Sequence, residues 1–218
     1  MRRMPGESHA QPPPPAPFRP APPVVIGIVG GIAAGKSAVA AAFATHGLQH
    51  VDADAHAREA AGQPEVLAEL QAAFGPGVVG PTGLDRAAMA ARVFADPAAR
   101  AQLEAILHPR IRARILAAID AARSAGQSVL LDAPLLLEGG LVAFCDRVVF
   151  VHAAEATRSQ RAARRGWAPE ELARREAAQA PLAQKRARAD FVVDNDGELA
   201  TMQQQVAAIL DRLRPGSP

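Results

Sequence analysis

The chain has 218 residues, 49% hydrophobic and 21% charged, with a formal net charge of +2 at neutral pH. That balance supplies enough apolar surface for one domain with excursions, and so small a charge does not by itself indicate nucleic acid. No run reaches the roughly 18 apolar residues of a membrane span and no signal-type apolar core opens the chain, so a cytoplasmic address is expected, and the lone Cys145, which cannot form an internal disulfide, agrees with it.

Residues 1–23 are rich in proline and alanine and lack periodicity, which predicts a disordered, polyproline-like tail. A docking ligand for a proline-recognising domain is the other reading. The apolar run at 24–29 then reads as a buried β-strand and 36–46 as a helix. Between them Gly30, Gly35, Lys36 and Ser37 satisfy G-x-x-x-x-G-K-[ST], the phosphate-binding P-loop pattern. Glycines let such a turn adopt angles that converge backbone N–H groups on one anion, and the following helix aims its positive end at the same place. Residues Gly31, Ile32, Ala33, Ala34, Gly35, Lys36, Ser37 and Ala38 are therefore the expected ATP cradle. Lys36 would place a compact charge on the outer phosphates and Ser37 would ligate Mg2+. Composition supports a special role for Lys36, because of 24 lysines and arginines only Lys36 and Lys185 are lysines.

A second strand is expected at 48–51, followed by "VDAD", which puts Asp52 and Asp54 at i and i+2 on one side of an extended backbone. Ligands of open parallel α/β sheets sit beyond the carboxyl ends of the strands, so Asp54 would share a rim with the P-loop and could accept a hydroxyl proton. One of the two aspartates could instead cap the next helix. The next 70 or so residues carry helical signals and no strand: Asp96 reads as an N-cap with Pro97 in the first turn, and "HPRIRARILAAIDAA" repeats the proline-first pattern at Pro109. This predicts an inserted helical subdomain that receives a substrate. The apolar run at 128–132 ends in Asp132, which has the form of a Walker-B aspartate that reaches Mg2+, and Glu138 follows on the next loop as a substrate-binding or merely solvated residue.

Further strands are expected at 147–151 and 191–193, making five runs that alternate with helices, the pattern of an α/β fold with a five-stranded parallel sheet between two helical layers. The segment between them, 155–188, is helical and basic, with eight arginines and Lys185. A solvated face and nucleic-acid binding both compete for such a run, but Trp167 is its one aromatic, so the stacking platform of single-strand binders is missing. A lid that brings arginines to a triphosphate accounts for it best.

Taken in order, "GGIAAGKS", "DADAHAR" at 52–58, "HPRI" at 108–111, "DAPLLLEGG" at 132–140, the pair Arg161 and Arg165, Gln179 and "ADFVVDNDG" at 189–197 resemble the dephospho-coenzyme A kinase family over residues 24 to about 212. The resemblance implies a P-loop kinase core (24–58, 126–154 and 189–214), a helical coenzyme A domain (59–125) and a lid (155–188). It implies ATP and Mg2+, with dephospho-coenzyme A as the small-molecule partner. No nucleic-acid or membrane partner is expected from the residues, and the sequence does not give the oligomeric state, a monomer being favoured. The resemblance makes Asp54 the base, Lys36 and Arg165 the other catalytic residues, and Arg161 and Asn195 ATP contacts. Asp54, Arg58, His108 and Glu138 would lie on the substrate side. The chain departs from the family's usual P-loop at Ala33, Ala34 and Ala38, where a glycine and two hydroxyls are common, and alanine is expected to be tolerated wherever φ is negative. Another small-molecule P-loop kinase, acting on a nucleoside monophosphate or shikimate, and a non-enzymatic nucleotide-binding regulator are the alternatives.

Overall fold

In a computed structural model, residues 15–214 are described. In chain order they form β1 (Val25–Gly30), α1 (Lys36–Thr45), β2 (Gln49–Asp52), α2 (Ala53–Ala61), α3 (Pro64–Phe74), β3 (Val79–Gly80), β4 (Gly83–Leu84), α4 (Arg86–Ala95), α5 (Pro97–Ser124), β5 (Val129–Asp132), β6 (Arg147–His152), α6 (Glu155–Arg164), α7 (Pro169–Ala177), α8 (Leu182–Ala187), β7 (Phe191–Asp194) and α9 (Leu199–Arg212).

Strands β2, β5, β1, β6 and β7 lie side by side in that order, all parallel. The five expected runs match the five strands to within about two residues. Every residue of β1 is buried, as a central parallel strand with covered faces requires. Its side chains alternate between two cores. Ile26 and Ile28 pack with Val39 and Phe43 of α1 and with Met202, Val206 and Leu210 of α9; Val25 and Val29 pack with Ile115 and Ile119 of α5.

The insertion has a core of its own. Val66, Leu70 and Phe74 recur at helical spacing along α3 and meet Met89 of α4 and Ile106 of α5. Two expectations change here. The insertion is not strand-free, because Pro81 and Thr82 turn β3 back onto β4 in a two-stranded hairpin. Pro109 also starts no new helix, since α5 runs through it. A proline inside a helix removes one N–H and crowds the preceding turn. The carbonyl whose donor is missing is that of Ala105; Arg110, the residue after the proline, donates from Nη1 to the Ile106 carbonyl at 2.5 Å while Nη2 pairs with Glu69 of α3 at 2.5 Å, tying this stretch of α5 to α3. At the start of α5 the expected cap holds: Asp96 accepts from the Ala98 N–H at 2.8 Å.

The expectation of disorder up to residue 23 does not hold at Phe18. Residues 1–14 lie outside the described residues, but Phe18 is 1% exposed, sits in the α1/α9 core, and donates its N–H to the His46 carbonyl at 2.7 Å. A phenylalanine that reaches an apolar groove gains more from burial than a proline-rich strand loses by being fixed.

Candidate active site

The loop between β1 and α1 is closed by backbone geometry. Gly35 has φ +94°, in the left-handed region, and a Cβ there would collide with the Asn195 amide. Ala33 departs from the expectation that the loop's alanines occupy negative φ: its φ is +59°. That conformation costs an L-residue about 1–2 kcal/mol. Its methyl is buried against Ala162 of α6 and Leu172 of α7, a contact that offsets part of the strain and ties the loop to the 155–188 segment. Helix α1 has no acidic residue in its first turn, leaving its N-terminus to an outside anion. Lys36 folds back over the loop, with Nζ 3.4 Å from the Gly31 carbonyl.

This loop floors a cavity of about 720 Å3. From the loop and α1 come Ile32, Ala33, Gly35, Lys36, Ser37 and Ala38; from the carboxyl ends of β2 and β5 come Asp52, Asp54, Asp132 and Pro134. Arg161, Arg165, Trp167 and Gln179 of the 155–188 segment and Asn195 beyond β7 complete it. Parallel pairing sets Asp52 opposite Asp132 and Asp132 opposite Ile28, so sheet register brings the carboxylates to the rim where the P-loop begins.

The two aspartates of "VDAD" divide their work. Helix α2 begins at once after β2, so they do not share an extended strand; Asp52 is the N-cap and accepts from the Asp54 and Ala55 N–H groups at 2.8 and 3.2 Å. Arg58 stands 3.7 Å from Asp52. The Asp54 carboxylate accepts no hydrogen bond among the described residues, and its pKa is raised, first by burial and then by the Asp52 charge, against the pull of Arg58 and Lys36. Burial also raises Asp132, which Lys36 and His50 oppose, His50 Nε2 lying 3.8 Å from its carboxylate. Lys36 is lowered by burial, while Asp132 and Asp54 hold its charge and Arg165 repels it. Lys36, Asp54 and Asp132 therefore feel one another across one cavity.

Arg161 is committed to backbone. Its guanidinium donates to the Ala34 carbonyl at 2.9 Å and to the Asn195 carbonyl at 2.7 Å, and the Asn195 amide donates to the same Ala34 oxygen at 2.8 Å. Arg165, one helical turn on, forms no ion pair with a carboxylate among the described residues and lies 5.8 Å from the Trp167 ring. Gly31 and Ala34 shape the loop without lining the cavity. Arg58, His108 and Glu138 do not line it either: His108 is exposed on α5, and Glu138 accepts the Ala180 N–H at 2.5 Å. Trp167, Pro134 and Gln179 line the cavity with no spacing in the sequence that marks them for it, and Arg158, buried beside Gly31 and paired with Glu176, is one of eight arginines in its segment with nothing in the letters to set it apart.

A family model described as dephospho-CoA kinase matches residues 24–201. The chain belongs to the dephospho-CoA kinase family. A dephospho-CoA kinase of Deinococcus radiodurans is 48% identical, with 91% of this chain and 97% of that protein covered, and one of Anaeromyxobacter dehalogenans is 46% identical, with 88% and 93% covered. A crystal structure of a Thermus thermophilus protein superposes with a TM-score of 0.76 at 38% identity, covering 88% of this chain and 98% of that one. Dephospho-CoA kinases carry out the final step of coenzyme A synthesis, and as kinases they take ATP as a substrate. No helix among the described residues is long and apolar enough to cross a membrane.

Proposed function

We propose that this chain transfers the γ-phosphoryl group of ATP to the ribose 3'-hydroxyl of dephospho-coenzyme A inside the 720 Å3 cavity. The observation that carries the reading is the convergence of the P-loop, Lys36, Arg165, Asp54 and Asp132 on that one space, with Asp54 free of any capping duty. The loop's backbone and the N-terminus of α1 hold the phosphates. Lys36 and Arg165 offset charge on the migrating group, which departs from the β-phosphate oxygen as the 3'-oxygen bonds to phosphorus. Asp54 orients the 3'-hydroxyl and takes its proton. Its raised pKa, set first by burial, makes it a stronger base than an ordinary aspartate.

The hard oxygen donors of Ser37 and Asp132, both facing this cavity, fit magnesium. A magnesium ion held there would supply positive charge to offset that of the phosphates. The helical insertion, residues 59–125, with its separate core, serves as the coenzyme A domain, with Arg58, His108 and Glu138 on the acceptor's side. Residues 155–188 serve as the lid, which the contact of Ala33 with α6 and α7 supports.

The test is a coupled assay with ATP, Mg2+ and a panel of acceptors: dephospho-coenzyme A, nucleoside monophosphates and shikimate. Transfer is expected to dephospho-coenzyme A alone. Lys36→Met is expected to lower turnover by roughly 10³-fold or more, with the fold intact by circular dichroism. Preferred transfer to another acceptor, or a Lys36→Met variant as fast as the parent, overturns the assignment.

A further inference from the structure

The chain's other lysine lies against the same site. Lys185 on α8 is 2% exposed, and its Nζ donates to Gln179 Oε1 at 2.6 Å. Gln179 lines two spaces at once: the nucleotide cavity and a smaller one of about 170 Å3 that Lys185 shares with Gly31 and Ile32 of the P-loop. It is the wall between them. The next residue, Ala180, is pinned through its N–H to Glu138. The turn between α7 and α8 is thus held at both positions.

A glutamine can present either end of its amide to a neighbour, and the neighbour decides which. An ammonium donates and never accepts. With Lys185 behind it, Gln179 must turn its oxygen inward, and its two N–H donors are left for the cavity. Phosphate oxygens only accept, so the orientation enforced by Lys185 is the one that binds them. The alternative orientation would face a triphosphate with a lone pair.

We propose that Gln179 is a nucleotide-binding residue that donates its side-chain amide to an acceptor oxygen of ATP, and that Lys185 is the positioning residue that fixes it in that orientation. The inference rests on the reading that the 720 Å3 cavity holds ATP. Burial lowers the Lys185 pKa and Lys36 lowers it further, whereas Glu138 and Glu176 sustain its charge. A compact ammonium meets this demand for one buried contact where a guanidinium would need partners for five N–H groups.

Steady-state kinetics and the fluorescence of Trp167, the chain's only tryptophan and a residue of the cavity wall, test the proposal. Gln179→Leu is expected to raise KM for ATP about tenfold, the loss of one hydrogen bond to a charged oxygen, with KM for dephospho-coenzyme A within twofold of the parent. Gln179→Glu, which keeps the Lys185 contact but turns an acceptor to the phosphates, is expected to raise it further. Lys185→Met is expected to raise KM for ATP as Gln179→Leu does, and the double variant to be no worse than the worse single. A KM for ATP within twofold of the parent in Gln179→Leu, or effects of the two single variants that multiply in the double, overturns the proposal. Should Lys185→Met fail to fold, the half-buried Gln179 variants decide. Should the parent transfer no phosphate to dephospho-coenzyme A, the functional reading falls, and ATP titrations followed by Trp167 still decide this one: Gln179→Leu must bind ATP more weakly.

Discussion

Asp52 and Asp54 are two positions apart, and what separates them is which backbone N–H groups their oxygens meet. Asp52 is consumed by the start of α2, whereas Asp54 faces the cavity with no hydrogen-bond donor on it among the described residues. Asp54→Asn is therefore expected to lower turnover by roughly 10²- to 10⁴-fold with ATP affinity little changed, as single-turnover rates and Trp167 titrations would register. The pH profile gives an independent reading. A base works only when deprotonated, and burial, with the Asp52 charge second, raises the Asp54 pKa, so the acid limb of kcat/KM is expected above the ordinary aspartate range. Asp52→Asn retains an acceptor for the cap but removes the like charge, so the limb should move to lower pH; a limb that stays put, or moves up, removes Asp54 from the base role. The sequence made this pair visible by its spacing, and left open which member capped, because that depends on where the strand stops and the helix starts. Ala33 shows the same limit. The missing glycine can be read from the letters, whereas the sign of φ is a property of the closed loop.

Among elements, α6 carries Arg161 in its last turn and Arg165 at its C-cap, two arginines with opposite commitments. Helical periodicity places Arg161 and Arg165 on one face, and both do line the cavity. What periodicity could not tell is that Arg161 is already held by the carbonyls of Ala34 and Asn195. Arg161→Ala is expected to lower the melting temperature and to raise KM for ATP, because the Ala34 carbonyl keeps only its Asn195 donor and the P-loop loosens. Arg165→Ala should leave the melting temperature near that of the parent and lower kcat. Thermal denaturation paired with initial rates separates the two, and the reverse assignment of effects would exchange their roles. Pro109 illustrates a different limit. Proline opens a helix more often than it interrupts one, yet α5 runs on through Pro109, held by Ile106 and Leu107 in the core of the insertion before it and by Ile111, Ile115 and Ile119 in the core of the sheet after it.

For the molecule as a whole, the five strands were legible because central parallel strands are continuous apolar runs, but their order β2-β5-β1-β6-β7 is a matter of which edges meet and leaves no local trace. The same holds for Phe18. One aromatic in a proline-rich stretch has no periodicity to betray a groove formed by α1 and α9, and its burial is expected to make Phe18→Ala cost about 3–5 kcal/mol in denaturant titration. A loss under 1 kcal/mol would show that residues 15–23 rest on the core without supporting it. The chain's scarcity of lysine, finally, has a practical side. With every other basic side chain a guanidinium, imidazole aside, Lys36 and Lys185 are the only side-chain amines, and they border the 720 Å3 cavity and the smaller space behind it. The α-amine aside, an amine-acylating reagent thus has only these two side chains to modify. Its slow incorporation at Lys36, blocked by ATP, would count open sites directly, and its arrival at buried Lys185 would time the moments when α8 comes away from the loop.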